Sequence, residues 1–446
     1  MKYEAVCAPE WLSRSAIYQI NPRTFCKEGT ISAITKELPK LKELGFGIMY
    51  LCPIFEADDS EDRAFWSERQ KRSNTNNPKN PYRMNDYFKI DSEYGTDDDL
   101  REFINQAHKL DMHVILDLVY LHIGPNAPII KKHPEFAKQD KYGNRVCSIW
   151  QFPYLDFSCA GLREYLWCNM IYYIGEMDAD GFRCDVGDSV PIDFWVEARR
   201  RMHAVKPDSV LINEGGNWDY LIKGFDSSYC FDWHTNLYAS FSGKMTAAEL
   251  REYREKLDSE LPAGARLLMD IDNHDTVTDW PERTEIVAGH DGMEQIEVIN
   301  YLLCGIPMVY CGNELADSAK LSMFANRFHT GSFEFTDRSI ASRDYSLRRQ
   351  DVIKKLNALK RDSDTLCNGN TVWLDNSEPE KVFSFSREYK NEKIMFAGNF
   401  SNEAVTVKLD KKIIGKTLLE NGAEQISDDT LKFAPRGYIA VMSQNK

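Results

Sequence analysis

The sequence predicts an α/β protein: a (β/α)8 barrel, with a short subdomain inserted after the third strand and an antiparallel β-sandwich at the C-terminal end. Three observations carry that prediction. Short apolar runs alternate with stretches of helical periodicity over roughly 350 residues, the pattern of a parallel sheet covered by helices. The alternation breaks once, for roughly 40 residues after His122. From about Thr365 the helical period gives way to runs of period two.

The elements follow in order. Ala16 to Ile20 reads as the first strand, and Ile31, Ile34, Leu38, Leu41 and Leu44 recur at helical spacing until Gly45 stops the helix. Ile48 to Cys52 is the second strand, closed by Pro53. Glu56 to Asn80 is polar and reads as a long loop of the kind that serves a site. Asp97 to Leu110 is an amphipathic helix, and His113 to Val119 is a third strand that carries Asp117. After the insertion come a helix from Gly161 to Ile174, a fourth strand ending at Asp185, a helix from Phe194 to Val205 and a fifth strand ending at Glu214. Tyr229 to Asp232 is a weak sixth strand, Leu267 to Asp272 a seventh, and Met308 to Cys311 an eighth behind the apolar helix Ile296 to Leu303. The expected division is a barrel over residues 1–121 and 161–362, an inserted subdomain over 122–160, and an all-β domain over 363–446. In that last domain Trp373 reads as core, since no cluster of tryptophans surrounds it.

With 446 residues, 43% hydrophobic and 28% charged, the chain has ample material for a core. Its formal charge of -14 argues against nucleic acid and anionic membrane as partners, because a phosphate surface would be repelled. A neutral substrate fits better. Met1 to Trp11 lacks the apolar run of a secretory leader, and no stretch of about 18 apolar residues occurs. The eleven cysteines show no zinc spacing and sit partly in apolar runs, as reduced thiols of a cytoplasmic protein would. The oligomeric state leaves no mark in the sequence.

Arg183 and Asp185 are two residues apart on a strand, so both side chains leave the same face. Two further apolar runs end in carboxylates, at Glu214 and at Asp275. In a (β/α)8 barrel the site lies at the C-terminal ends of the strands, so Asp117, His122, Arg183, Asp185, Glu214, His274 and Asp275 are expected around one mouth. One ionised carboxylate that attacks an anomeric carbon and one protonated carboxyl roughly 5 Å away are what retaining glycoside cleavage needs. Arg183 is expected to keep Asp185 ionised, while the two aspartates raise Glu214.

The chain resembles the α-amylase family of retaining α-glycoside hydrolases. The family's motifs stand in order as Asp117 to His122 (DLVYLH), Gly181 to Asp185 (GFRCD), Asn213-Glu214, and Asn273-His274-Asp275. Ile17-Tyr18-Gln19-Ile20, Pro81 to Tyr87, Tyr94-Gly95-Thr96 and Gly305-Ile306-Pro307 match as well. The resemblance implies Asp185 as nucleophile, Glu214 as general acid/base and Asp275 as the stabiliser that binds sugar hydroxyls. It further implies His122 and His274 as hydroxyl binders and Tyr82 as the aromatic under the sugar, with Asp117 either a structural partner or a site residue.

Two positions depart from the family. Leu121 stands where calcium-dependent members have an asparagine ligand, and Asp188-Ser189 replaces a Lys-His pair on the leaving-group side. These departures point to no metal, no cofactor, and a short carbohydrate substrate. An α-glucan transglycosylase or a glucosyl-transferring phosphorylase shares the first half-reaction, because only the acceptor differs. A non-catalytic amylase-like binding or partner protein would be expected to lose carboxylates that this chain keeps. A metal-dependent barrel hydrolase would need a His-x-His on the first strand, and Ala16 to Ile20 has none.

Overall fold

The computed structural model describes residues 3–73, 75–325 and 343–444. Asn74 of the predicted long loop and residues 326–342 of the predicted barrel lie outside the described residues. Eight parallel strands form the barrel: β1 (Ile17–Ile20), β2 (Ile48–Leu51), β3 (His113–Leu118), β4 (Gly181–Cys184), β5 (Val210–Asn213), β6 (Ser227–Ser228), β7 (Leu268–Met269) and β8 (Ile306–Tyr310). They pair in the order β6-β5-β4-β3-β2-β1-β8-β7. A single parallel bridge from Ser228 to Leu267 brings the two ends together.

Strands buried on both faces are near-continuous apolar runs, as a helix-covered parallel sheet requires. Ile17, Ile48, Tyr50, Ile115, Val210, Ile212, Leu268, Ile306 and Met308 fill the barrel interior as one buried cluster. The opposite strand faces join the helices in a larger one that includes Leu116, Phe182 and Leu211.

Three expectations need correction. The sixth strand is Ser227–Ser228, and Phe231 already opens the helix Phe231–Phe241. Two serines carry no strand-like pattern; backbone pairing with Ile212 and Asn213 makes them a strand. The single helix over Ile31 to Leu44 is two, Ile31–Thr35 and Leu38–Glu43, because Pro39 offers no N–H to continue the first. The stretch from Glu56 to Asn80 is not all loop: Phe55–Ala57 pairs antiparallel with Met84–Ile90, and Glu68–Arg72 is a helix capped by Ser67.

At the C-terminal end six strands form an antiparallel sheet: β9 (Asn370–Trp373), β10 (Val382–Tyr389), β11 (Glu392–Asn399), β12 (Val405–Lys408), β13 (Lys416–Ser427) and β14 (Thr430–Gln444). One part of β14 pairs with β11 and another with β12. Val382, Met395, Val407, Phe433 and Val441 thereby share one core. Trp373 packs on Phe383 and Phe385.

Candidate active site

Parallel register builds the site. Asp117 on β3 is the ladder partner of Arg183 on β4, so their side chains emerge side by side. Arg183 Nη1 lies 2.7 Å from Asp117 Oδ1 and 3.0 Å from Asp185 Oδ1, and its Nη2 lies 2.8 Å from Glu214 Oε1. One buried guanidinium is shared by three carboxylates. After β4 the chain turns through Val186 at φ 44°, a left-handed conformation that a β-branched residue adopts at a cost. That turn aims the Val186 N–H at Glu214 Oε2, 2.7 Å away.

Asp275 is placed by local structure. Asn273 caps the helix His274–Asp279, its side chain accepting from the N–H groups of Asp275 and Thr276. His274 is fixed from β1: its N–H donates to Gln19 Oε1 at 3.2 Å, and Gln19 Nε2 donates to its Nδ1 at 3.0 Å. That leaves the proton on Nε2, which faces the Tyr82 hydroxyl at 2.6 Å; Tyr82 in turn donates to Asp117 Oδ2 at 3.0 Å. Tyr50 gives the same oxygen a second hydrogen bond, at 2.6 Å.

A narrow cleft of about 60 Å³ lies above this network. Tyr82, His122, Asp185, Glu214 and Asp275 line it, together with Arg69, Trp150 and Phe324. The five come from four different strand ends and the loop before Met84. Asp117, Arg183 and His274 belong to the buried layer that holds these lining residues in place. His122 donates from Nε2 to the Tyr82 carbonyl at 3.0 Å, while its buried Nδ1 has no protein partner.

Burial dominates the protonation states. It pushes His122 down to about 4 and lowers His274 as well, so both rings are neutral near neutral pH. For Asp185 the expectation of a nucleophile held ionised by Arg183 is corrected. Burial first, then the neighbouring Glu214, push its carboxyl well above the usual carboxylate range, against the pull of Arg183. The physical reason is the sharing just described: Arg183 divides its charge among three acids, so its pull on Asp185 alone is weakened. Asp275 behaves oppositely. Burial opposes its ionisation, yet its neighbours hold it well below the usual range; with His274 neutral, the cations that act on it are Arg69 and Arg183.

Residues 13–145 match the family model described as the catalytic domain of alpha-amylase. A cyclomaltodextrinase of Thermoanaerobacter pseudethanolicus is 24% identical over 91% of this chain and 73% of its own length. An intracellular maltogenic amylase of Bacillus subtilis is 22% identical over 90% and 71%. Among solved structures, a maltogenic alpha-amylase of Thermotoga neapolitana superposes with a TM-score of 0.77 at 25% identity, covering 98% of this chain and 97% of that one.

Over residues 13–145 the chain matches the α-amylase catalytic-domain family, and over most of its length it is similar to these amylases.

Two residues of the site, Arg69 and Tyr50, carry no motif signal. Arg69, on the helix Glu68–Arg72, reaches Asp275 Oδ1 at 2.6 Å and Asp279 Oδ2 at 2.8 Å. Tyr50 reaches Asp117 from β2, and Gln19, within the matching segment Ile17 to Ile20, reaches His274 from β1. The position where family members bind calcium does not fit that ion here. Leu121 has no oxygen side chain and its carbonyl accepts from Leu155, while the nearby Asp156 carboxylate accepts from the Ser158 N–H and hydroxyl.

Proposed function

We propose that this chain is a retaining hydrolase that cleaves α-glucosidic bonds in short oligosaccharides or α-glucosides through a covalent glycosyl-enzyme intermediate. The observation that carries the reading is the single guanidinium of Arg183 joined to both Asp185 and Glu214 at the floor of the cleft. That guanidinium fixes the two carboxyls side by side, and retaining chemistry needs a proton on one of such a pair and a charge on the other.

In the first step Glu214 gives its proton to the glycosidic oxygen as the Asp185 carboxylate attacks the anomeric carbon. The bond to the leaving group breaks and an ester to Asp185 forms. Glu214, now ionised, takes a proton from water, whose oxygen attacks the same carbon and releases Asp185. Two inversions give net retention. Asp275, ionised beside Arg69 and Arg183, is placed to stabilise positive charge developing on the sugar and to accept from its hydroxyls. The unpartnered Nδ1 of His122 is a second acceptor, and Tyr82 offers a ring face.

Relatives named for cyclomaltodextrin and maltose support an α-glucan as substrate. A cytoplasmic location is supported by eleven free cysteines and by the relative named intracellular; among the described residues no helix is long and apolar enough to cross a membrane. The net charge of -14 disfavours nucleic acid.

The test is a product profile on maltose, maltotriose, isomaltose, sucrose and soluble starch, with and without phosphate. Hydrolysis of the short α-glucans without phosphate is expected. Dominant transfer products, or sugar phosphate formed only with phosphate, would reassign the acceptor. A higher efficiency on starch than on the trisaccharide would overturn the short-substrate reading.

A further inference from the structure

Glu214 and Asp275 have different surroundings in the cleft. At the Glu214 end, Val186 and Trp150 also line a second groove, which runs on past Lys138, Tyr154, Arg163 and Ser189. At the Asp275 end stand Arg69 and Phe324. The Arg69 guanidinium forks between Asp275 at 2.6 Å and Asp279 at 2.8 Å, and lies over the Phe324 ring at 5.7 Å. A planar fork engaged by two carboxylates and backed by an aromatic ring is a fixed wall rather than a mobile side chain.

Its mounting is rigid too. The Ser67 hydroxyl caps the helix by accepting from the Gln70 N–H at 3.1 Å. Gln70 is fully buried, and its Nε2 donates to the carbonyls of Asn77 and Pro78, both at 3.1 Å. The helix that carries Arg69 is thus pinned to the stretch that leads to Asn80 and Tyr82, themselves cleft residues.

This asymmetry has a consequence if Asp185 and Glu214 act as proposed, a reading on which the inference rests. The leaving group must depart past the acid, Glu214, and there the groove continues. The sugar being transferred lies over Asp185, among Tyr82, His122 and Asp275. A chain extending from that sugar's other side would have to displace Arg69 from two carboxylates and offer only hydroxyls in exchange. We propose that Arg69 closes the glycone side of the cleft, so that the enzyme accepts one terminal glucosyl unit there and acts from the non-reducing end, releasing glucose.

The test uses the whole purified enzyme and two forms of 4-nitrophenyl α-maltopentaoside, one free at its non-reducing end and one capped there by a benzylidene group. Wild type is expected to release glucose first from the free form and to cleave the capped form about 100-fold more slowly or worse. Arg69→Ala is expected to bring that ratio down towards one and to yield maltose or maltotriose among the first products. Arg69→Met, which keeps the aliphatic stem over Phe324, is a second variant should the alanine protein not fold. Ready cleavage of the capped form by wild type, or maltose as its first product, would overturn the proposal and leave the hydrolase reading standing. An unchanged preference in a folded Arg69 variant would also overturn it. Cleavage of neither form by wild type would instead defeat the hydrolase reading on which it rests.

Discussion

Buried charge gathers at both ends of the barrel, and the two clusters differ in what neutralises it. At the C-terminal face Arg183 faces Asp117, Asp185 and Glu214, an excess of acid at the floor of an open cleft. At the opposite face, where Gly305 leads into β8, three buried cations meet mainly backbone oxygen, with one carboxylate, Asp258, 2.9 Å from Arg254 Nε. Arg387 donates to the carbonyls of Leu302 at 3.1 Å and Gly369 at 2.5 Å, Arg254 to Cys304 at 2.8 Å, and Lys360 to Gly305 at 2.9 Å. The carbonyls of Leu302, Cys304 and Gly305 lie where the helix Thr284–Leu302 ends, and cations there complement its orphan acceptors and its dipole; Gly369 follows the helix Asp364–Asn368. The lower cluster is tied to backbone carbonyls and holds the fold together. The upper one leaves carboxyl groups shared, under-neutralised and facing the cleft, the condition for acid–base work.

The largest effect that would break this contrast is at the upper cluster. Asp185→Asn and Glu214→Gln are each expected to lower kcat by about 10⁴-fold, roughly 5 kcal/mol or more of transition-state stabilisation, with the thermal midpoint kept or raised. Near-normal turnover in either purified variant would remove the catalytic assignment.

The lower cluster should respond the other way round. Arg387→Met deletes a fully buried guanidinium with two carbonyl acceptors, and a loss of about 2–4 kcal/mol of stability is expected in denaturant melts, with kcat of the folded fraction unchanged. A drop in kcat without a drop in stability would show the two ends to be coupled.

The pH dependence of stability separates the clusters by window. His122 is held down to about 4 by burial against 6.5 unfolded, so the unfolded chain binds more protons between those values. Stability should therefore rise with pH across that window and be lost as pH falls through it, by about 3 kcal/mol in all. Lys360, held down to about 8 against 10.5, gives the same sign in an alkaline window. Thermal melts of His122→Asn and Lys360→Met should each flatten only its own window; a single common slope would contradict the assignment.

The smallest effect expected is none. Dialysis against excess chelator should leave activity and thermal midpoint in place, because Leu121 and the engaged Asp156 do not make a calcium cage. A fall of several degrees that calcium restores would reveal a bound ion acting by mass action.

Much of the site was legible because strand ends announce themselves. Asp117, Arg183, Asp185, Glu214 and Asp275 each follow an apolar run, and period two put Arg183 and Asp185 on one face, as found. Arg69 was not legible: it sits on a polar stretch, and its contact with Asp275 spans 206 positions with no periodic signal. Nor was the two-residue strand β6, which exists through backbone pairing with its neighbour rather than through its side chains. The protonation of Asp185 was misjudged for a related reason. Sequence shows that Arg183 is near, but not that Glu214 and Asp117 draw on the same guanidinium.

The central claim is that Asp185 forms a covalent bond to the sugar while Glu214 supplies and recovers the proton. Proton NMR of the anomeric region during the first turnovers on an α-glucoside tests it most directly, since two displacements on the same carbon must return the starting configuration. The account predicts the α-anomer as the first product, with the β-anomer appearing only at the rate of mutarotation. Release of the β-anomer first would mean a single displacement by water, and Asp185 would not be the nucleophile.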